Sequence, residues 1–161
     1  FDQLPAYDDY SMEGRTYKYM EAEPLYPFGF GLSYSKVSYE GVKLSSTSMK
    51  KSGEVTASVI VKNTGNYGVD EVVQLYITDN DASVRVPLFD LKGIKRVNLA
   101  PGTSAKVDFT IDADMLQLID ENGNEKLEKG VFTVSIGGSL PTPRSTELGA
   151  SNYKTATLNL K

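Results

Sequence analysis

Carboxylates are the first residues to weigh, because a chain without histidine or cysteine has few other routes to chemistry. Among the carboxylates close in sequence, Asp79/Asp81 and Asp112/Asp114 could be imagined as working pairs. Acetal hydrolysis by two carboxylates needs such a pair about 5–5.5 Å apart for retention of configuration, or wider for inversion, beside a sugar-sized cleft. All four residues fall in turn-rich stretches, where Asp recurs because its side chain accepts hydrogen bonds from nearby backbone N–H groups. The turn reading is preferred for each. Asp120-Glu121-Asn122-Gly123-Asn124-Glu125 copies the start of a calcium loop, whose full pattern ends on a bidentate Glu. Here Leu127 and Gly130 to Phe132 return to strand alternation too soon, so a hairpin turn is expected. Gly29 and Gly31 lack the Lys-Ser/Thr and the strand–loop–helix frame of a phosphate loop, and are read as points of tight backbone approach between aromatic anchors. No residue is assigned a catalytic, cofactor-binding or metal-binding role, and no cofactor is expected.

Composition narrows the partners. Seventeen Lys and Arg against 21 Asp and Glu give a net charge of −4, with no basic block able to track phosphates. Nucleic acid and anionic membranes are therefore set aside. The lack of cysteine excludes disulfides and thiolate metal sites, and the lack of histidine removes the usual zinc ligand and the commonest general base near neutral pH. No apolar run approaches the roughly 20 residues that span a bilayer. The opening Phe1-Asp2-Gln3-Leu4-Pro5 has neither an initiator Met nor a signal pattern and reads as a cut within a longer chain. The compartment stays open, with periplasmic or secreted named for the longer chain.

The elements that would position any site divide at about Ser35. From Lys36 the apolar period is two. Val37 and Tyr39 open a strand, and Gly41 marks a bulge before Val42 and Leu44. Val55, Ala57, Val59 and Val61 form an inward face, as do Val73, Leu75 and Ile77, then Ala105, Val107, Phe109 and Ile111, then Phe132, Val134 and Ile136. Another strand runs from about Leu91 to Leu99. Turn signals separate them at 63–66, at Ala100-Pro101-Gly102-Thr103 and at Glu121-Asn122-Gly123-Asn124, with a capped single turn at 112–116. Gly138 to Ser151 reads as a polar loop, and Ala156, Leu158 and Leu160 close the chain. The fold predicted is all-β: an immunoglobulin-like sandwich of seven or eight strands over 36–161, behind an extended leader over 1–35.

The leader has its own character. Phe1, Tyr7, Tyr10, Tyr17, Tyr19, Tyr26, Phe28, Phe30 and Tyr34 crowd it, together with Pro5, Pro24 and Pro27. Neither period fits, and prolines deny it regular pairing. It is expected to be a strap whose aromatics pack against another surface. A platform for stacking sugars is the alternative, disfavoured by the absence of Trp. Arg15 is expected to form a salt bridge with an acidic group of a neighbouring domain, with proximity to a sugar site there as the alternative.

The motifs of the leader and body occur in one order. Glu13-Gly14-Arg15-Thr16-Tyr17-Lys18-Tyr19 precedes Pro24-Leu25-Tyr26-Pro27-Phe28-Gly29-Phe30-Gly31-Leu32-Ser33-Tyr34. Val61-Lys62-Asn63-Thr64-Gly65, Glu71-Val72-Val73-Gln74-Leu75-Tyr76, Leu91-Lys92-Gly93-Ile94-Lys95-Arg96-Val97 and Leu99-Ala100-Pro101-Gly102 follow. This order resembles the segment by which glycoside hydrolase family 3 enzymes leave their α/β sandwich domain and enter a C-terminal fibronectin type III-like domain. The resemblance implies a retaining β-glucosidase or β-xylosidase as the parent, with its catalytic Asp and Glu upstream. The 13–19 stretch leans towards the β-xylosidase branch. It implies a non-catalytic accessory domain whose partners are the parent's own catalytic domains. The alternative is a carbohydrate-binding module that holds polysaccharide near them.

Overall fold

The computed structural model describes residues 6–161, so Phe1 and Pro5 of the leader lie outside the described residues. β-Branched residues at alternate positions favour extended pairing, and two sheets result. The first is built around β4 (Val55–Asn63), with β7 (Ser104–Ile111) on one side and β1 (Val37–Tyr39) followed by β2 (Lys43–Leu44) on the other. Tyr39 faces Val61 while Lys43 faces Ser58, so β1 and β2 are one edge strand interrupted by one extra residue, at the bulge predicted around Gly41. The second sheet has the order β3 (Ser48–Met49), β11 (Lys154–Leu160), β10 (Gly130–Gly137), β5 (Val69–Asp79), β6 (Asp90–Leu99). All its pairs are antiparallel except β3 with β11. Among the described residues the two sheets hold eight strands, as expected, once β1 and β2 are taken as one, and β8 (Leu118–Ile119) and β9 (Glu125–Lys126) add a separate two-stranded hairpin.

The inward faces meet in one core. Val59 and Val61 of β4, Val107 and Phe109 of β7, Val73 and Leu75 of β5, and Phe132 and Val134 of β10 are all buried in it. Apolar area removed from water at roughly 25 cal/mol per Å² is the main term holding the sheets together. Asn63 at the end of β4 is polar and fully buried. Its Nδ2 donates to the carbonyls of Tyr67 at 2.7 Å and Leu99 at 3.0 Å, and its Oδ1 accepts from Ser35 Oγ and Gly65 N. The buried amide thus ties the 63–67 turn to the end of β6 and to the last residue of the leader.

Two strands depart from simple alternation. β5 is buried continuously from Val73 to Ile77, and β10 from Val134 to Gly137. A strand half-buried in a sandwich should expose every second residue, so a second layer must cover the outer face. Over β5 the leader is that layer, with Tyr17 against Tyr76 and Gly29 over Gln74, while Tyr153 packs over Gly137 of β10. The polar loop expected at Gly138 to Ser151 also differs: it buries Ser139, Leu140 and Ser145 and contains the short helix α2 (Pro143–Glu147). Pro143 at the first helical turn loses no intrahelical hydrogen bond, and Ser145 Oγ donates to the Leu140 carbonyl at 2.7 Å.

Candidate functional site

The leader is anchored along one side and apolar along the other. Its only helix among the described residues is α1 (Thr16–Tyr19), too short to stand alone and held by tertiary contacts. The Tyr17 ring stacks on Phe28 at 4.2 Å between centroids and meets Tyr76 of β5 edge-on at 6.3 Å. The Lys18 carbonyl accepts Leu88 N–H at 2.7 Å, and the Phe28 carbonyl accepts Leu140 N–H at 2.9 Å. Lys18 Nζ also reaches Asp90 at 2.7 Å. Hydrogen bonding to Asp90 raises the Lys18 pKa. Burial works to raise the Asp90 pKa, but its bonds to Lys18 and Lys92 prevail and hold it below the usual range. Glu13 pairs with Arg85 at 3.1 Å across the same seam.

Beneath the leader lies a polar chain that the alternation did not reveal. Tyr76 Oη donates to Gln74 Oε1 at 2.5 Å, and Gln74 Nε2 donates to the Gly138 carbonyl at 2.9 Å. Gly29 sits directly over that amide with φ of +73°, and a Cβ there would lie 2.6 Å from Gln74 Oε1. Gly31 has no such neighbour. Gly29 is thus the point of tight backbone approach expected between the Phe28 and Phe30 anchors, against the Gln74 amide, whereas Gly31 lies open. Beside the amide, Tyr39 Oη donates to Glu71 Oε1 at 2.5 Å. Burial raises the Glu71 pKa, and the Tyr39 hydrogen bond only partly offsets it. Burial, then the Glu71 charge, raises the Tyr39 pKa as well.

Away from the sheet the leader turns apolar groups outward. Leu25 is 81% exposed, Tyr26 72%, Leu32 88% and Tyr34 95%, and Val72 and Ile94 extend the surface onto β5 and β6. Several large apolar side chains this exposed on one short segment point to an interaction surface. A groove of about 730 Å³ opens between the leader and the sandwich, walled by Tyr17, Pro24, Tyr26, Phe89 and Leu140, with Arg144 of α2 in its lining. Arg144 and Leu140 were missed because they lie in the stretch read as a polar loop. The apolar Leu88-Phe89 and Leu140-Pro141 steps were the available signal.

The carboxylates singled out in the sequence do local work. Asp79 Oδ1 accepts Asp81 N–H at 3.0 Å, and Asp81 Oδ2 accepts Val131 N–H at 2.8 Å. Asp112 Oδ1 accepts Met115 N–H at 3.0 Å, closing the turn that leads into the 3-10 helix Asp114–Leu116. Asp120 Oδ1 accepts Asn122 and Asn124 N–H, each at 2.9 Å, and Gly123 takes φ of +82°, so this run closes the β8–β9 hairpin. Arg15 pairs with Asp9 at 3.0 Å inside the leader. Among the described residues no three His, Cys, Asp or Glu side chains gather as a metal site, and no helix is long and apolar enough to cross a membrane.

Comparison with known proteins fits this geometry. Residues 71–140 match the model of the fibronectin type III-like domain. The chain is 41% identical over 145 residues to a β-xylosidase of Formosa agariphila, which covers 90% of this chain and 19% of that protein. It is 40% identical over 147 residues to a periplasmic β-glucosidase of Salmonella typhimurium, covering 84% of this chain and 19% of that one. A family 3 β-glucosidase structure from Bifidobacterium adolescentis superposes with a TM-score of 0.70 at 30% identity, over 84% of this chain and 18% of the other. The chain thus spans about a fifth of the length of the curated relatives it matches. Residues 71–140 thus form a fibronectin type III-like domain, and along most of its length the chain is similar to one part of larger β-glucosidases and β-xylosidases, among them a glycoside hydrolase family 3 β-glucosidase.

Proposed function

We propose that this chain is the non-catalytic, C-terminal accessory domain of a family 3 β-glycosidase that hydrolyses terminal β-linked glucose or xylose. Residues 1–35 are its linker from the end of an α/β sandwich domain, and 36–161 are the fibronectin type III-like sandwich. Its task is to stabilise and position the catalytic domains. The observation that carries the reading is the two-sided leader: one side bonded to the sandwich, the other presenting Leu25, Tyr26, Leu32 and Tyr34 to solvent. A free linker would not keep such area exposed, because its burial against a partner is favourable by about 1.5–3 kcal/mol for each large apolar side chain. The local roles of the carboxylates point the same way. The expected result is that this chain alone releases no aryl alcohol from aryl β-glucosides or β-xylosides, while the full-length parent does so with retention. Steady release by the isolated chain, lost on mutating one of its own acids, would overturn the proposal.

One observation favours a second reading, a carbohydrate-binding role. Tyr26 and Phe30 lie nearly parallel, 6.0 Å apart and 22° between planes, beside the groove. Titration of the isolated chain with xylo- and cello-oligosaccharides tests it. Saturable heat lost on Tyr26→Ala would establish that role.

A further inference from the structure

The groove under the leader is walled mainly by apolar groups, with Glu21, Glu23 and Arg144 also in its lining. The Arg144 side chain is 28% exposed, and its Nε is buried without a hydrogen-bond partner among the described residues. Two carboxylates stand near, Glu23 Oε1 at 3.6 Å from Nε and Glu147 Oε2 at 3.4 Å from Nη1, both on exposed side chains. Charge-assisted N–H···O bonds run at about 2.7–2.9 Å, so neither contact completes the guanidinium. Arginine cannot shed its charge, and a buried donor left unpaired is costly. A second irregularity lines the same groove. Thr16 holds φ of +56°, a conformation that β-branched residues rarely take and that persists only where the surroundings impose it.

These features describe a half-filled receptor. The guanidinium fork matches a carboxylate, and the flanking Phe89 and Leu140 offer apolar area to whatever carries it. The walls come from both the leader and the sandwich, so an occupant would clamp the two together. About four-fifths of the length of the curated relatives lies outside the region this chain matches. We infer that the groove seats an acidic segment of the parent's catalytic part, with an Asp or Glu completing Arg144 and a neighbouring apolar side chain resting on Phe89 and Leu140. The inference rests on the docking reading above and assigns that docking a specific seat.

The test uses the purified full-length parent carrying a photo-crosslinking benzoylphenylalanine at Thr142 in the groove or, separately, at Leu32 on the outer face. The Thr142 probe should capture one peptide of the catalytic part that contains Asp or Glu. Arg144→Gln should speed proteolytic release of the domain at least about tenfold, since truncating one partner of a charge pair leaves the other unpaired and weakens the contact. Arg144→Glu combined with Arg at the captured acid should restore the wild-type rate. Capture from Leu32 but not from Thr142 would remove this seat while leaving the docking reading intact. Capture from neither position would remove both. Capture of a second copy, protection of Thr142 by a xylo-oligosaccharide, or a wild-type release rate in Arg144→Gln would each overturn the inference.

Discussion

Gly29→Ala tests how the leader is held. Two costs add. An alanine at φ of +73° forfeits about 1–2 kcal/mol relative to right-handed backbone. Its Cβ would also stand 2.6 Å from Gln74 Oε1. Gln74 cannot simply swing aside, because it accepts from Tyr76 Oη and donates to the Gly138 carbonyl. Breaking either bond leaves a buried polar group unpaired, at about 1–3 kcal/mol each. The leader should therefore lose about 3–5 kcal/mol of docking free energy, taken as one backbone term plus one or two lost bonds. Amide exchange reads this directly at Leu88 and Leu140, whose N–H groups bond the leader carbonyls of Lys18 and Phe28. Both should exchange at least about a hundredfold faster, at 1.4 kcal/mol per tenfold, while amides of β4 and β7 keep their protection. Gly31→Ala is the control: nothing lies within 4 Å and its φ is not positive, so it should be neutral or gain about 0.4–1 kcal/mol from the stiffer unfolded chain. Equal exchange in the two variants would refute the account of the Gly29–Gln74 contact.

Three further outcomes follow from the core and its polar inclusions. Asn63→Ala should cost about 3 kcal/mol or more in urea unfolding, because several buried partners lose their bonds at about 1–3 kcal/mol each; a cost below 1 kcal/mol would show that water replaces the amide. Phe109→Ala, deep in the core, should cost about 3–5 kcal/mol, and a neutral result would mean that the strand does not pack as described. Glu71→Gln tests the raised carboxylate. A folded-state pKa above the unfolded value of 4.5 means that Glu71 favours the native state below pH 4.5 and loses that contribution as pH rises through the folded value. The variant should therefore match wild type in acid and gain on it from pH 4.5 upward, measured as the difference in unfolding free energy against pH. A flat difference would contradict the desolvation argument.

Much of the sandwich was legible because each strand keeps one strict inward face. Val55 to Val61 and Ala105 to Ile111 need only alternation to be placed, and the Asn-Gly and Pro-Gly steps locate their turns. The second face of β5 was not legible. Gln74 and Tyr76 read as outward positions, and only the docked leader buries them. Leader packing depends on contacts between residues about 50 apart, such as Tyr17 with Tyr76 and Gly29 with Gln74, which no local period encodes. The same reason hid Arg144, whose place beside the leader arises from α2 folding back in a stretch that looks polar. Asp79, Asp112 and Asp120 were readable as turn residues because their bonds reach only two to four positions along the chain.

The central claim is that the outer face of the leader joins the domain to its catalytic partners and takes no part in the chemistry. The direct measurement is melting temperature and kcat of the full-length parent with Leu25, Leu32 and Tyr34 each replaced by Ser, beside wild type. Each residue buried at such a seam contributes about 1.5–3 kcal/mol, so the triple variant should melt several degrees lower while kcat stays within about twofold, a change worth under 0.5 kcal/mol in barrier height. An unchanged melting temperature with a collapse of kcat or of substrate affinity would place the leader in the sugar site and contradict the account.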